Sequence, residues 1–300
     1  MIAVMGADGF VGRHIMRRLA EEGIAARALV RNVARASEVL PQGVEIVAAD
    51  TTRRATLGPA LQGVETIIHC AFLVANRKQT AGNTYRETNV QGTKNLVAAA
   101  KEAGVARICV MGGLGTVPSP RDAYLQGRYE ADQAVKTSGL GWSILGPSVQ
   151  FGAGSPFFTG LADLIRSPLP VVPMIGNGQV RFQPIWVEDV TTCMLKMARE
   201  PERYNQQAIE VGGPEVYTYA QILDMLMRAL GKRKLKVPGP KPLARLGAGM
   251  MEAVLPNPPV TRAATGLFDF DNVAALDSVE RNFGFQPLSL RTYLDEHGIE

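Results

Sequence analysis

The sequence predicts an α/β fold, a doubly wound parallel sheet between helices with a smaller, mostly helical C-terminal lobe. Three observations carry that expectation. The chain opens on a short apolar run, Ile2 to Met5, which turns through Gly6, Gly9 and Gly12 into a segment with Val11, Ile15, Leu19 and Ala20 on one helical face. Short apolar runs and amphipathic segments then alternate as far as Leu145, the pattern of strands buried on both faces and joined by crossover helices. After Gly152 the alternation breaks, and prolines and glycines become dense from Ser155 to Pro184, where a chain leaves one domain to build another.

The first strand, Ile2 to Met5, leads into a helix from Phe10 to Glu22. Gly6 suits the tight turn, Gly9 lets backbone amides come close to a ligand, and Gly12 lets the helix pack against the strand. With Asp8, Phe10 and Val11 between these glycines, the turn reads as a pyrophosphate grip at a helix N-terminus, and hence as a dinucleotide site. The spacing is GxxGxxG, one residue away from G-x-G-x-x-G.

A second strand, Ala25 to Val30, ends in Arg31. An acidic residue at such a strand end takes a ribose 2′-hydroxyl, whereas arginine pairs with a 2′-phosphate. With Arg13 and Arg35 expected nearby, NADP(H) is favoured and NAD(H) is the alternative. Val44 to Ala48 form a third strand, closed by Asp50 and Thr51 at the adenine. A helix from Arg53 to Gln62 precedes a fourth strand, Thr66 to Cys70, after which Cys70, Ala71 and Phe72 run beneath the adenosine half. His69 reads as a satisfied core histidine.

A long helix from about Thr84 to Ala103 carries Asn89, Gly104 caps it, and Val105 to Met111 make the fifth strand. Ser119 then reads as an N-cap with Pro120 at the first helical position, which puts Tyr124 in the first turns and Arg128 on the same face one turn later. Trp142 to Leu145 form the sixth strand, followed by Gly146, Pro147 and Ser148. Gln183 to Val190 bring the chain back, with a helix to about Arg199 and a strand from Ala208 to Val211. Residues 1–150, completed by about 180–213, thus form the dinucleotide domain. Residues 151–179 and 214–300 form the smaller lobe, whose last part covers the cleft.

A chain of 300 residues, 46% hydrophobic, can bury one large core or two modest ones. A strand beginning at Ile2 leaves no room for a leader, and no apolar run reaches membrane-spanning length, so the expected location is the cytoplasm. Cys70, Cys109 and Cys193 are odd in number and set in apolar runs, as reduced core thiols are, and His14, His69 and His297 lack metal-ligand spacing. No metal is expected. The net charge of +4 is too mild to point to nucleic acid.

Taken together, Gly6 to Gly12, Asn89-Val90-Gln91-Gly92-Thr93, Tyr124 and Val187-Glu188-Asp189-Val190 resemble, in order, the landmarks of the short-chain dehydrogenase/reductase superfamily in its extended or atypical branch. Gly139 to Ser148, Gln183-Pro184 and Pro258-Pro259-Val260-Thr261 are similar to the Rossmann-type accessory subunit of respiratory complex I and its bacterial relatives. The resemblance implies that Asn89, Met111 and Pro147 contact the cofactor and that Tyr124 and Arg128 lie by its nicotinamide ribose. It also implies a serine after the fifth strand and a tyrosine with a lysine four residues later, the tyrosine acting as acid or base at a pKa lowered by the lysine.

The chain departs from that pattern. Met111 is followed by Gly112-Gly113 with no hydroxyl, Arg128 stands at the lysine position, and Gly146 replaces an arginine before Pro147. Thr116 and Ser119 come too late to replace the serine and suit loop or cap roles. Arginine is bulkier than lysine and effectively always protonated, so it cannot easily join a proton relay.

Two functions remain in view. The first is a binding or accessory protein that keeps NADP(H) as a stabiliser or redox sensor in a respiratory or membrane-associated assembly. The second is a reductase or epimerase that uses Tyr124 with Arg128. From Arg228 to Arg245 there are seven basic residues and no acidic one, and the cluster Lys232 to Lys236 precedes Leu243, Leu246, Met250, Met251 and Val254 at helical spacing. The segment 232–255 is therefore either a basic amphipathic element that lies on an anionic membrane surface, at its inner face, or docks against a membrane-bound partner, or a core-facing helix beside a solvated charge run.

Overall fold

In the computed structural model, which describes residues 1–256, 258 and 260–299, strands and helices alternate from the first residues onward. They run β1 (Ile2–Met5), α1 (Phe10–Glu21), β2 (Ala26–Val30), α2 (Val33–Val39), β3 (Glu45–Ala48), α3 (Leu57–Ala60) and β4 (Thr66–His69). After a wide π-type turn at Tyr85–Gln91 come α4 (Gly92–Glu102), β5 (Arg107–Met111), α5 (Ala123–Lys136) and β6 (Gly141–Pro147). The middle of the chain forms β7 (Gln150–Phe151), α6 (Pro156–Arg166), β8 (Val171–Ile175), β9 (Arg181–Phe182), β10 (Ile185–Trp186), α7 (Val187–Arg199), α8 (Pro201–Tyr204) and β11 (Gln207–Val211). The remainder forms β12 (Tyr217–Thr218), α9 (Tyr219–Ala229), β13 (Leu235–Gly239), α10 (Lys241–Val254), α11 (Arg262–Gly266), α12 (Ser278–Phe283) and α13 (Leu290–His297).

The central sheet has the order β11-β6-β5-β4-β1-β2-β3. Neighbours from β3 across to β6 are parallel, with Met5 opposite Leu29 on one side and His69 on the other. The winding reverses at β1, and in such sheets ligands settle beyond the carboxyl ends of the strands at the reversal. Here those ends are Met5 and His69, so Gly6 and Cys70 face the crevice.

The chain divides into two compact units. One comprises residues 1–73, 79–146 and 190–209, and the other residues 74–78, 147–189 and 210–300. The core of the first joins Met5, Leu29, Ile67, Ile108, Val110 and Ile144 from the strands to Leu57, Leu96, Ala100 and Val135 from the helices. The second buries an aromatic cluster of Phe151, Phe158, Phe182, Tyr217, Tyr219 and Phe268. Its centre is a polar clamp. The buried Gln183 donates through Nε2 to Gly213 O (2.7 Å) and accepts from Ala274 N, while Ser148 Oγ donates to Asn272 Oδ1 (2.7 Å). Thr261 caps α11 and donates to Ala75 O, and Pro259 lies outside the described residues.

Several sequence expectations are corrected. Asp122 caps α5, its carboxylate accepting from Tyr124 N and Leu125 N, and Ser119 lies three residues before that cap. The carboxylate reaches two amides, where a serine hydroxyl at 119 would be too far back. The helix expected over 53–62 shrinks to one 3₁₀ turn, Arg54–Thr56, and the four residues of α3. Gly58 and Pro59, both poor helix formers, are half of α3, which ends at Ala60. The basic run around Lys234 and Lys236 becomes a strand, β13, paired in parallel with β8. No helix among the described residues is long and apolar enough to cross a membrane.

Candidate functional site

The turn between β1 and α1 is fixed by steric limits. Gly6 has φ +82°, a conformation that only glycine adopts without strain, and its amide donates to Leu29 O (2.9 Å). A Cβ on Gly6 would stand 2.9 Å from the Ala71 backbone, and one on Gly12 only 2.2 Å from Gly6 O. The turn, the helix and the β4 exit therefore pack without room for a methyl group. Gly9, in extended conformation, caps α1 without a side-chain bond, and no acidic residue lies in the first turn. The amides of Phe10 and Val11 and the positive end of the helix dipole thus meet no acidic side chain from within the first turn, and Asp8 precedes the cap. The glycine cradle fits a pyrophosphate.

Arg31 lies exposed immediately after β2, and Asn32 caps α2 through Arg35 N, so Arg31 and Arg35 occupy the same strand end. Asp50 is half-buried and its Oδ1 accepts from Thr52 N and Thr52 Oγ1 (2.9 and 2.8 Å). Thr51 is buried, and its carbonyl accepts from Asn95 Nδ2 (2.8 Å), which ties the β3 exit to α4. Cys70, Ala71 and Phe72 follow β4, with Cys70 N donating to Met5 O (2.8 Å). Burial pushes the Cys70 thiol up to about 12, so it is inert.

Asn89 has an unexpected role. It sits in the π-type turn, wholly buried, and spends both ends of its amide on the backbone of one residue. Its Oδ1 accepts from Leu73 N (2.7 Å) and its Nδ2 donates to Leu73 O (3.0 Å). Four residues on, Thr93 Oγ1 donates to Asn89 O and meets His69 Nε2 at 3.1 Å. His69 is not fully satisfied. Its Nδ1 is buried without a partner among the described residues, and burial, with the Arg128 charge second, pushes its pKa down to about 3. It is a neutral core residue.

The side chains expected to be catalytic lie on α5, which follows β5. Tyr124, half-buried in the first turn of α5, packs edge-on against Tyr85 (ring centroids 5.3 Å apart). Burial raises its hydroxyl pKa above the ordinary tyrosine value; Arg128 opposes that shift, and Asp122 and Asp132 add to it. Arg128 is buried. Its guanidinium lies 3.7 Å from the centre of the Phe72 ring and donates through Nη2 to Met111 O. Asp132, one turn further along α5, is pushed up by burial and held back by Arg128 and Lys136.

The serine position is closed at Gly112, where a Cβ would stand 2.8 Å from Leu145 O, and open at Gly113, where it would meet only Thr116 Oγ1 at 3.8 Å. Thr116 Oγ1 donates to Gly113 O and Ser119 Oγ to Val117 O, so both hydroxyls serve their own loop. Pro147 is the buried last residue of β6. Sequence reasoning missed Tyr85 beneath Tyr124 and the stack of His69, Phe72 and Arg128. Nothing in the spacing signals either, because each joins residues distant in sequence. Among the described residues no cluster could hold a metal ion.

Comparison with known proteins agrees with this geometry. Residues 6–150 match the family described as NAD(P)H-binding. The chain is 30% identical over 238 residues to the NAD(P)H azoreductase of Xenophilus azovorans, covering 77% of this chain and 74% of that protein. It is 22% identical over 283 residues, 91% of this chain and 68% of the other, to subunit 9 of the mitochondrial NADH dehydrogenase (ubiquinone) 1 alpha subcomplex of Arabidopsis thaliana. Its fold is shared with the NADPH-dependent quinone oxidoreductase of Escherichia coli crystallised with NADPH, at a TM-score of 0.74 and 20% identity over 99% of both chains. The glycine cradle, the strand order and these matches lead to one conclusion: the chain belongs to the NAD(P)H-binding family, in the extended, atypical branch of the short-chain dehydrogenase/reductase superfamily.

Proposed function

We propose that this chain holds NADP(H) and reduces acceptors that take up a hydride without an acid side chain from the protein. Gly6, Gly9 and Gly12, with the backbone from Asp8 to Val11, hold the pyrophosphate, and Arg31, with Arg13 and Arg35 near, takes the 2′-phosphate. Asp50 and Thr51 border the adenine, Cys70 to Phe72 underlie the adenosine half, and Met111, Tyr124, Arg128 and Pro147 border the nicotinamide end. Asn89 serves by holding Leu73 in place. When bound, the reduced nicotinamide supplies the hydride.

The observation that carries this reading is the state of Tyr124 and Arg128. A proton relay needs the tyrosine pKa lowered by a free cation, whereas here burial raises it and the cation is engaged with Phe72 and Met111 O. An acceptor that delocalises the incoming charge over a conjugated system, as a quinone or an azo compound does, needs no such relay, and solvent supplies its proton. The relation to an azoreductase supports that substrate class. The test is NADPH oxidation with a quinone, an azo dye and a simple ketone, using wild type and Tyr124→Phe. The expected result is turnover of the conjugated acceptors alone, with less than about a tenfold loss in the variant. A loss above about a hundredfold, or turnover of the ketone alone, refutes it.

A second reading, an accessory or sensor subunit of a respiratory or membrane-associated assembly, is favoured by the 91% coverage in the match to a complex subunit. Native mass spectrometry of protein taken from its own source distinguishes the two. An assembly with NADP(H) retained supports the accessory role, and a free chain that exchanges dinucleotide supports the reductase.

A further inference from the structure

In β13 and α10 the usual amphipathic arrangement is reversed. On α10, Leu243, Leu246, Met250 and Val254 follow one another at helical spacing and are 62, 61, 64 and 81% exposed. The opposite face is small or charged and is the one that packs. Ala248 and Gly249 are buried against α11, where a Cβ on Gly249 would meet the Arg262 guanidinium at 2.3 Å. Lys241 donates to Phe268 O and pairs with Asp269, Arg245 pairs with Asp269, and Glu252 accepts from Arg262 N (3.1 Å).

The preceding strand does the same. Leu235, 69% exposed, and Val237 point outward, whereas Lys236 turns in to Ala220 O and Asp224, and Lys234 reaches Ser167 O. Water disfavours such a surface, and apolar patches of this kind on soluble domains mark interaction sites.

The charge around the patch indicates its occupant. Of the basic residues ahead of α10 and in its first turns, Lys234, Lys236, Lys241 and Arg245 are spent internally. Lys232 and Arg233 are exposed with no ion-pair partner among the described residues. The chain holds no acidic residue from Arg228 to Arg245. An aliphatic stripe preceded by two free cations, with Glu252, the one acidic residue of α10, turned to Arg262, matches the boundary between anionic headgroups and acyl chains.

We infer that β13 and α10 form a peripheral docking surface for an anionic lipid membrane. Leu235, Leu243, Leu246, Met250 and Val254 enter the acyl boundary, and Lys232 and Arg233 meet the headgroups. The inference does not rest on the dinucleotide reading, and dinucleotide titration of the same samples keeps the two apart.

The test is sedimentation of the full chain with phosphatidylcholine vesicles made with and without phosphatidylglycerol. The protein is expected to sediment with the anionic vesicles and to be released by salt. Leu246→Ser with Met250→Ser, and separately Lys232→Glu with Arg233→Glu, should each lower partitioning by at least about tenfold while NADPH binding and Tm hold. All four side chains are exposed, so these changes spare the core. Three results overturn the inference: wild type staying in solution with both vesicles, variants that bind as wild type does, or a concentration-dependent dimer abolished by the serine pair with no vesicle binding.

Discussion

A methyl group has no place at the β1–α1 turn, where a Cβ on Gly12 would stand 2.2 Å from Gly6 O, whereas at the β5–α5 loop one on Gly113 would meet nothing closer than 3.8 Å. The first region is specified atom by atom by backbone packing, and any protein that keeps the cradle must keep those glycines. The second holds its shape through Thr116, Asp122 and the Arg128 bond to Met111 O, and it leaves open space at Gly113. The grip on a dinucleotide and any chemistry performed with it are thus separate properties of the same end of the sheet.

That contrast can be broken or sharpened by substitution. Gly12→Val should be the most damaging, because backbone must move. NADPH affinity should fall by at least about a hundredfold, with a stability loss of about 3 kcal/mol, read by fluorescence titration and urea unfolding. Arg128→Met should follow, at about 1–3 kcal/mol, because it leaves Met111 O without its donor while keeping contact with Phe72. Gly112→Ser should lose about 1–2 kcal/mol against Leu145 O, whereas Gly113→Ser should stay within about 0.5 kcal/mol of wild type. Equal losses at 112 and 113 would erase the distinction between the two regions. Arg31→Glu should leave stability unchanged and weaken NADPH about tenfold more than NADH; an equal loss of both would remove Arg31 from the 2′-phosphate.

His69 supplies the mildest test, in pH dependence. Its folded pKa, about 3, lies below the ordinary 6.5, so the unfolded chain binds a proton that the native chain refuses. Its contribution to stability is intact above 6.5, falls as the pH drops from 6.5 towards 3, and levels off below that. His69→Asn should flatten that part of the urea midpoint profile, and an unchanged slope would assign it to other groups.

The first strands and helices were legible because a short apolar run has one interpretation once a glycine turn and a helical stripe follow it. Ile2–Met5 and Thr66–His69 fell within a residue of expectation for that reason. Asn89 was legible as important and illegible in role, since no spacing tells a ligand contact from a bond to Leu73. The helices α1 and α10 mark the limit most sharply. Both carry an apolar stripe, yet Ile15 and Leu19 are buried while Leu246 and Met250 are exposed. A periodic pattern identifies a face, and only the neighbouring elements decide which way it looks. For α10 the neighbours are Arg262 and Asp269, which draw the charged side inward.

The order in which the chain visits its two units bears on how such a protein is made and altered. Residues 74–78 belong to the second unit although the first flanks them on both sides, and residues 190–209 return to the first after a long absence. Leu73, held by Asn89, is the point of departure. During synthesis the first unit therefore lacks α7 and its edge strand until well after the second has begun to emerge. No single cut separates the two units. A truncation or gene fusion made anywhere between these crossings leaves both incomplete, so the two can be inherited, exchanged or engineered only together.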